Sequence, residues 1–393
     1  MSEFDVLMES MERTAYNKWM RTEGIPVVNG YGIEDVRDLE LASWERIGGK
    51  GAFINLYGMG GATGMYVAQI PPGGALKLEK HLYEEVICIL DGRGTTEVWQ
   101  ENGEKQVFEW GPWSVFAPPM NSWHRLVNGR REAVTFLAVT NAPVVIDTFR
   151  DANFIFNCNH LFRDRFAGEE GYFKESNKRY KNKRGTQTLW ETNLIADIVG
   201  AELDIKKVKG PGWKVTQFEM SGNSLIGHMA EWPSGVYNKA HYHGPGATIL
   251  ILRSQGYTLI WPKEAGERPF ESGRGHEVIQ LNWRVGSLVC PPGGWFHQHF
   301  CTGPDPARLI AIRYGSRLHP IGTEVTAQRQ EDGAHISTKE GGTVIEFEDE
   351  DPEIGRRFQA ELSKTGAQCQ MPHLGAMVNE VVNQKVPEST SPV

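Results

Sequence analysis

His241-Tyr242-His243, and after them His297 in a Pro-Pro-Gly-Gly-Trp-Phe-His stretch, are the residues of this chain whose types and spacing point most directly to chemistry. Two histidines at i and i+2 lie on one face of a β-strand, because successive side chains alternate faces. A histidine from a later strand can complete a facial set of three neutral nitrogen ligands. Imidazoles suit iron, nickel, copper or zinc, and three of them leave coordination positions open. The expectation is a mononuclear metal site.

The flanks of this set occur twice. Tyr66–Trp99 aligns with His228–Trp261 without a gap, so that Pro71 meets Pro233, Gly73 meets Gly235, His81 meets His243, Gly94 meets Gly256 and Trp99 meets Trp261. Pro118-Pro119-Met-Asn-Ser-Trp-His124 stands opposite Pro291-Pro292-Gly-Gly-Trp-Phe-His297. A long-period repeat of this kind decides the architecture before any single element does. The chain reads as a tandem duplication.

These blocks resemble the two sequence motifs of the cupin superfamily. His81-Leu-Tyr-Glu-Glu85 followed by Gly92 matches the second half of the first motif, with Glu79 where its first histidine would stand. Pro119-x-Asn121-x-x-His124 with Asn128 approaches the second motif. The C-terminal copy has His241-x-His243 and Pro292-x-Gly294-x-x-His297, but Ala247 or Thr248 at the glutamate position. The resemblance implies an all-β-dominated fold of two tandem cupin (jelly-roll) barrels, to which the sequence itself adds a helical N-terminal arm and a C-terminal extension containing a short helix. His-x-His with alanine at the glutamate position is similar to the gentisate- and salicylate-type ring-cleaving dioxygenases. That likeness implies Fe2+ at His241, His243 and His297, with Mn2+, Ni2+, Co2+ or Zn2+ as alternatives. Glu79, His81, Glu85 and His124 form a second set. It is either a site for a hard metal such as Mn2+ or a retired site in which Glu85 and His81 hydrogen-bond one another.

Those ligands need barrels to hold them, and 393 residues suffice for two domains with real cores. Forty-four glycines and 21 prolines suit tight turns between short strands. The net charge of −8 argues against a nucleic-acid or anionic-membrane partner. Five cysteines (88, 158, 290, 301, 369) form no C-x-x-C pair and read as reduced thiols of a cytoplasmic protein. The N-terminal MSEFDVLMESMER has no signal pattern, and no apolar stretch has the length of a membrane span.

The expected layout is an arm and lead-in over 1–62, a first barrel over 63–145, a connection over 146–210, a second barrel over 211–316 and an extension over 317–393. Apolar spacing predicts a helix over Glu3–Arg21. Strands are predicted at 65–70, 86–90, 95–100, 114–117 and 134–139, then at 214–220, 248–252, 257–261, 287–290 and 309–314. The run Lys178–Arg184 reads as a solvated basic face. Asp351 and Pro352 suit the N-cap and first position of a helix reaching about Ser363. Disorder is expected after about 380.

Further candidates surround the triad. His299, two residues after His297, serves as acid/base or hydrogen-bond donor if the strand continues, or is a surface imidazole. His228 faces the cavity or is an ordinary strand residue. Arg253 shares parity with His241, and Arg313 lies on the last strand; an inward arginine would clamp a substrate carboxylate. Trp232, Trp261, Trp283 and Trp295 belong to the mouth or the core. Gly58–Gly64 is glycine-rich, but no amphipathic helix follows to cradle phosphate.

Three functions are compatible with these residues. The first is an Fe(II) dioxygenase cleaving a C–C bond of a small chelating hydroxy, keto or carboxy substrate with O2. The second is a redox-neutral metal-dependent decarboxylase, hydrolase or isomerase. The third is a non-catalytic small-molecule-binding bicupin. A homo-oligomer, dimer or tetramer, is expected, with the N-terminal arm covering a neighbour's sheet edge.

Overall fold

The structure, a computed structural model, describes residues 14–101, 103–182, 187–204, 210–244, 246–320 and 336–374. Strand pairing divides them into two eight-stranded and two three-stranded sheets. Each barrel is one sheet of each size. In the first, the large sheet runs through Gly49–Leu56, Gly64–Ile70, Val134–Thr140, Glu85–Asp91 and Val115–Phe116, and Trp123–Val127, Gly94–Trp99 and Gln106–Trp110 form the small one. The second repeats this with Lys214–Glu219, Leu225–Trp232, Ala307–Tyr314, Thr248–Arg253 and Leu288–Val289, facing Ile279–Trp283, Gly256–Pro262 and Trp295–Cys301. Mostly antiparallel pairing in two tandem double-sheet barrels is the bicupin architecture.

Burial explains the composition of the strands. The large sheets pack back to back, so Val86, Cys88, Leu137 and Val139 share one core with Leu250, Leu288, Ile310 and Ile312. Their other faces line the two barrel interiors. A strand covered on both faces reads as a continuous apolar run, as Thr248–Arg253 (TILILR) does. Gln106–Trp110 has one wet face and alternates instead, with Val107 and Glu109 exposed.

The repeat extends beyond the alignable motifs. Val27–Gly30 and Thr188–Glu191 pair in parallel with the first long strand of their respective barrels. The barrels then exchange strands. Gly32–Ile33 pairs with Leu288–Val289 of the second barrel, and Leu194–Ile195 with Val115–Phe116 of the first. The chain after each is matched too: Val36 N–H donates to Gly286 O (2.9 Å) and Ile198 N–H to Trp113 O (3.1 Å). The segments 27–62 and 146–210, expected as lead-in and connection, therefore supply barrel strands. The described part of the N-terminal arm covers sheet edges of its own chain.

Other elements differ in detail. The first described helix is Ala15–Thr22, capped by Thr14 Oγ1 at 3.1 Å from Asn17 N; the earlier part of the expected helix lies outside the described residues. Lys178–Lys181 is an exposed strand, with Lys178 paired to Glu191 and Arg179 over Trp190, while Lys183 and Arg184 are outside the description. Asp351 caps Pro352–Thr365 through Glu353 N. The region after 380 is not described. Gly58 lies against the Cys290 backbone, where a Cβ would stand 2.0 Å from the carbonyl oxygen, and its own carbonyl accepts from Gly246 N. Close approach of the barrels accounts for that glycine. No described helix is long and apolar enough to cross a membrane.

Candidate metal centres

The ligand strands of the second barrel are joined by reciprocal main-chain bonds, His297 N to His241 O (3.0 Å) and His241 N to His297 O (3.3 Å). Gly294, at φ +76°, turns the chain so that its N–H reaches His243 O at 2.9 Å. These bonds bring His241, His243 and His297 together, one ligand atom of each within 4.8 Å of the others. Each Nδ1 is bound to a main-chain carbonyl: His241 to Lys239 O (3.0 Å), His243 to Gly244 O (2.8 Å) and His297 to Trp295 O (3.2 Å). Carbonyls only accept, so Nδ1 of His243 and of His297 carries the proton and Nε2 presents a lone pair. At His241 the Lys239 O contact (3.0 Å) is shorter than that from Asn238 Nδ2 (3.3 Å) and favours the same tautomer. The donor set fits a divalent transition metal through three neutral imidazoles.

The first barrel repeats the scaffold. Glu79 and His124 exchange the same pair of bonds (3.0 and 2.9 Å), and Asn121, at φ +58°, takes the place of Gly294. His81, Glu85 and His124 converge, only 3 %, 1 % and 2 % exposed. Both imidazole Nδ1 atoms bind carbonyls, of Tyr83 and Ser122, while both Nε2 atoms are buried without a hydrogen-bond partner. Each Nε2 lies 3.9 Å from Glu85 Oε2, beyond hydrogen-bond reach. A retired site closed by a His81–Glu85 hydrogen bond is therefore not what forms. Buried orphan nitrogens facing a carboxylate fit a cation between them. Burial and then the Glu79 charge push the Glu85 carboxyl up to about 8, while burial and then His124 hold His81 well below the usual imidazole range. Tyr66 donates to the other Glu85 oxygen, and Tyr83 stacks on His81 at 3.6 Å.

Two expected site residues lie elsewhere. Glu79 Oε2 is held by Arg46 at 2.8 Å, so the converging set is three residues instead of four. Arg46 also binds Glu23 and sits over Trp19, Trp44 and Phe156. Arg253 does not turn inward. The register shifts between Ile251 and Arg253, reversing the expected parity, and the guanidinium pairs with Glu231 and Pro306 O.

Arg313 does take the inner face. Its strand neighbours Leu309 and Ala311 belong to the barrel interior, whereas Ile310 and Ile312 belong to the core between barrels. Thr248 pairs with Ile312, so continuing the register sets Arg313 beside Ala247. Burial draws its guanidinium pKa down, opposed by Glu219. His228 is opposite Ala311 on one side and Gln217 on the other, also on the inner face. His299 is buried, with Nδ1 2.9 Å from Thr258 Oγ1, which accepts from Trp283 Nε1. Trp232, Trp261 and Trp283 are core residues; Trp295 is partly exposed and packs near Tyr31.

Several contributors were not apparent from spacing. Gln217 emerges only from the sheet register. The pair Trp283–Thr258 could have been found from the repeat, because Trp110 Nε1 donates to Thr96 Oγ1 at 2.9 Å in the first barrel.

No family model matches the chain, and no curated protein does. Among solved structures it is similar to a point mutant of Bacillus subtilis oxalate decarboxylase, with 12% identity, TM-score 0.44, and 73% of this chain and 78% of that one covered. An oxalate decarboxylase structure concerned with substrate binding and a reaction-specificity switch gives 12% identity, TM-score 0.46, and coverage of 79% and 82%. Vicilin from hazelnut (Corylus avellana) gives 10% identity, TM-score 0.44, and coverage of 72% and 85%. The bicupin architecture rests on this chain's own strand pairing and its two repeated ligand sets.

Proposed function

Taking the chain as a bicupin, we propose that it is a metal-dependent enzyme whose reaction centre is His241, His243 and His297, and that this centre serves an Fe(II) dioxygenase acting on a small chelating carboxylate. One observation carries the reading. The two barrels share a scaffold, yet matched interior positions differ in kind: Tyr66, Glu85, Leu126 and Thr140 in the first become His228, Ala247, His299 and Arg313 in the second. In the first, Tyr66 and Glu85 close the centre with protein groups. The second removes the carboxylate and supplies cationic or hydrogen-bonding groups around three neutral ligands.

That exchange suits an anionic substrate. With no glutamate in the set, the charge balancing a divalent ion comes from the substrate's own oxygens. Arg313 receives a carboxylate bidentately. Thr258, fixed by Trp283, orients the His299 ring, so that Nε2 holds or delivers a proton at the inner wall. Ile249, Ile251, Leu309 and Ala311 line an apolar barrel that keeps water from the reactants. Iron(II) held by three imidazoles supplies open coordination positions and the redox chemistry by which dioxygen is used.

The redox-neutral reading draws on the other centre, because His81, Glu85 and His124 suit a hard cation such as Mn2+. Its burial under Tyr83 favours a structural role there. Oxygen uptake separates the two. Iron-loaded protein given chelating aromatic hydroxy acids and keto acids is expected to consume O2 in step with ring or chain cleavage. Turnover of the same acids at an equal rate without O2 would replace this reading with the redox-neutral one.

A further inference from the structure

We propose that the C-terminal extension is a positioning element of the second metal centre, with Glu350 acting through Gln298 and Asn238 on the strands that carry His241 and His297. The proposal rests on the reading of that centre as a metal site.

The extension joins the ligand strand directly. Tyr242 N donates to Thr343 O (3.2 Å) and Ile345 N to Ala240 O (2.9 Å), so His241 is bridged by His297 on one side and Val344 on the other. An added strand fixes main-chain position along its length. Glu350 follows, 8 % exposed, with one oxygen accepting from Tyr237 Oη and the other from Gln298 Nε2, each at 2.6 Å. Gln298 neighbours His297 and also donates to Asn238 O at 3.1 Å. Asn238 Oδ1 accepts from His299 N at 2.6 Å, and its Nδ2 donates at 2.9 Å to Lys239 O, the carbonyl that also holds the His241 imidazole. Glu350 thus stands at the end of a buried hydrogen-bond chain reaching both ligand strands.

Glu350 is itself rigidly placed. Asp351, fully buried, accepts from Phe270 N (2.7 Å) and Glu271 N (3.0 Å) while capping Pro352–Thr365. Ile354, Phe358 and Leu362 of that helix, with Met371 and Leu374 beyond it, belong to the core of the second barrel. Matched positions of the first barrel are Ala75, Leu76, Arg125 and Leu126, where the second has Tyr237, Asn238, Gln298 and His299. The first barrel therefore lacks this polar set, and the second has it where the extension meets it. Groups that hold metal ligands in place typically alter metal affinity 10–100-fold when lost.

The test is cobalt(II) titration of the metal-free full-length protein, followed by visible absorption. The part of the signal lost in His297→Ala belongs to the second centre, and the part lost in His81→Ala to the first. Glu350→Gln, which keeps the shape, is expected to raise the second centre's cobalt dissociation constant about tenfold and to shift its band, leaving the first centre's signal unchanged. Gln298→Leu is expected to do the same, and the double variant no more than the larger single effect. Wild-type affinity and band in both single variants, even with a lowered Tm, would reduce the extension to a stabilising wrap and overturn the proposal. Cobalt binding untouched by His297→Ala would overturn the metal-centre reading and this proposal with it.

Discussion

Tyr66 donates a hydrogen bond to Glu85 across the interior of the first barrel, and the matching positions of the second barrel hold His228 and Ala247. The tyrosine binds one oxygen of a carboxylate whose other oxygen faces two imidazoles. Duplication has supplied two copies of one ligand scaffold, and the change at this pair separates a centre with a protein carboxylate from one without it.

In the first barrel, Glu85→Ala is expected to abolish metal binding, because it removes the anion facing both Nε2 atoms. Glu79→Ala is expected to preserve it, since the Glu79 carboxylate is engaged by Arg46. Metal content after dialysis, with His297→Ala as background to silence the other centre, checks both. Loss of metal in Glu79→Ala would restore Glu79 to the ligand set.

In the second barrel, Arg313→Met is expected to raise KM for a carboxylate substrate about 10- to 100-fold, the worth of a charge-assisted hydrogen bond of ~1.5–3 kcal/mol. Arg253→Met is expected to leave KM at the wild-type value, because that side chain pairs with Glu231 outside the cavity. Steady-state kinetics on the two variants decide it; equal effects would remove Arg313 from the substrate site.

Glu350 also predicts a pH dependence of stability. Burial, with a smaller contribution from the Asp351 charge, lifts its carboxyl from 4.5 to about 7 against the pull of Tyr237 and Gln298, and burial keeps neighbouring His373 low. A carboxyl raised in the fold ionises first in the unfolded chain. Its contribution is therefore most favourable below about 4.5 and is lost as pH rises towards 7. Urea unfolding of wild type and Glu350→Gln at pH 5 and 7.5 is expected to show the difference between them moving in the variant's favour at the higher pH. A pH-independent difference would contradict this.

The exchanged strands predict that neither barrel folds alone. A fragment of residues 1–186 lacks Leu194–Ile195, leaving Val115–Phe116 without its partner, and exposes the shared core of Leu137 and Val139. It is expected to unfold without a cooperative transition by circular dichroism. A sharp transition near the full chain's Tm would show the barrels to be independent.

The histidines were legible because an i, i+2 pair on a strand and a gapless repeat leave few alternative arrangements. Asp351 and Pro352 were legible because a helix start has local chemistry. The exchanged strands were not, since two residues carry no periodicity; their trace was only the parallel between Ile33-Glu-Asp35-Val36 and Ile195-Ala-Asp197-Ile198. Arg253 was misplaced because parity counting assumes an unbroken ladder, and one bulge inverts it. Glu350 stood outside any motif, as its partners Tyr237 and Gln298 are brought to it only by the folded extension.

The most direct test of the account is the metal content of protein purified without oxygen, compared with that of His297→Ala. The account predicts iron at the second centre, its complete loss in the variant, and loss of oxygen consumption with it, while any metal at His81, Glu85 and His124 stays bound. Iron content and oxygen consumption unchanged by the substitution would contradict the assignment of the reaction to His241, His243 and His297.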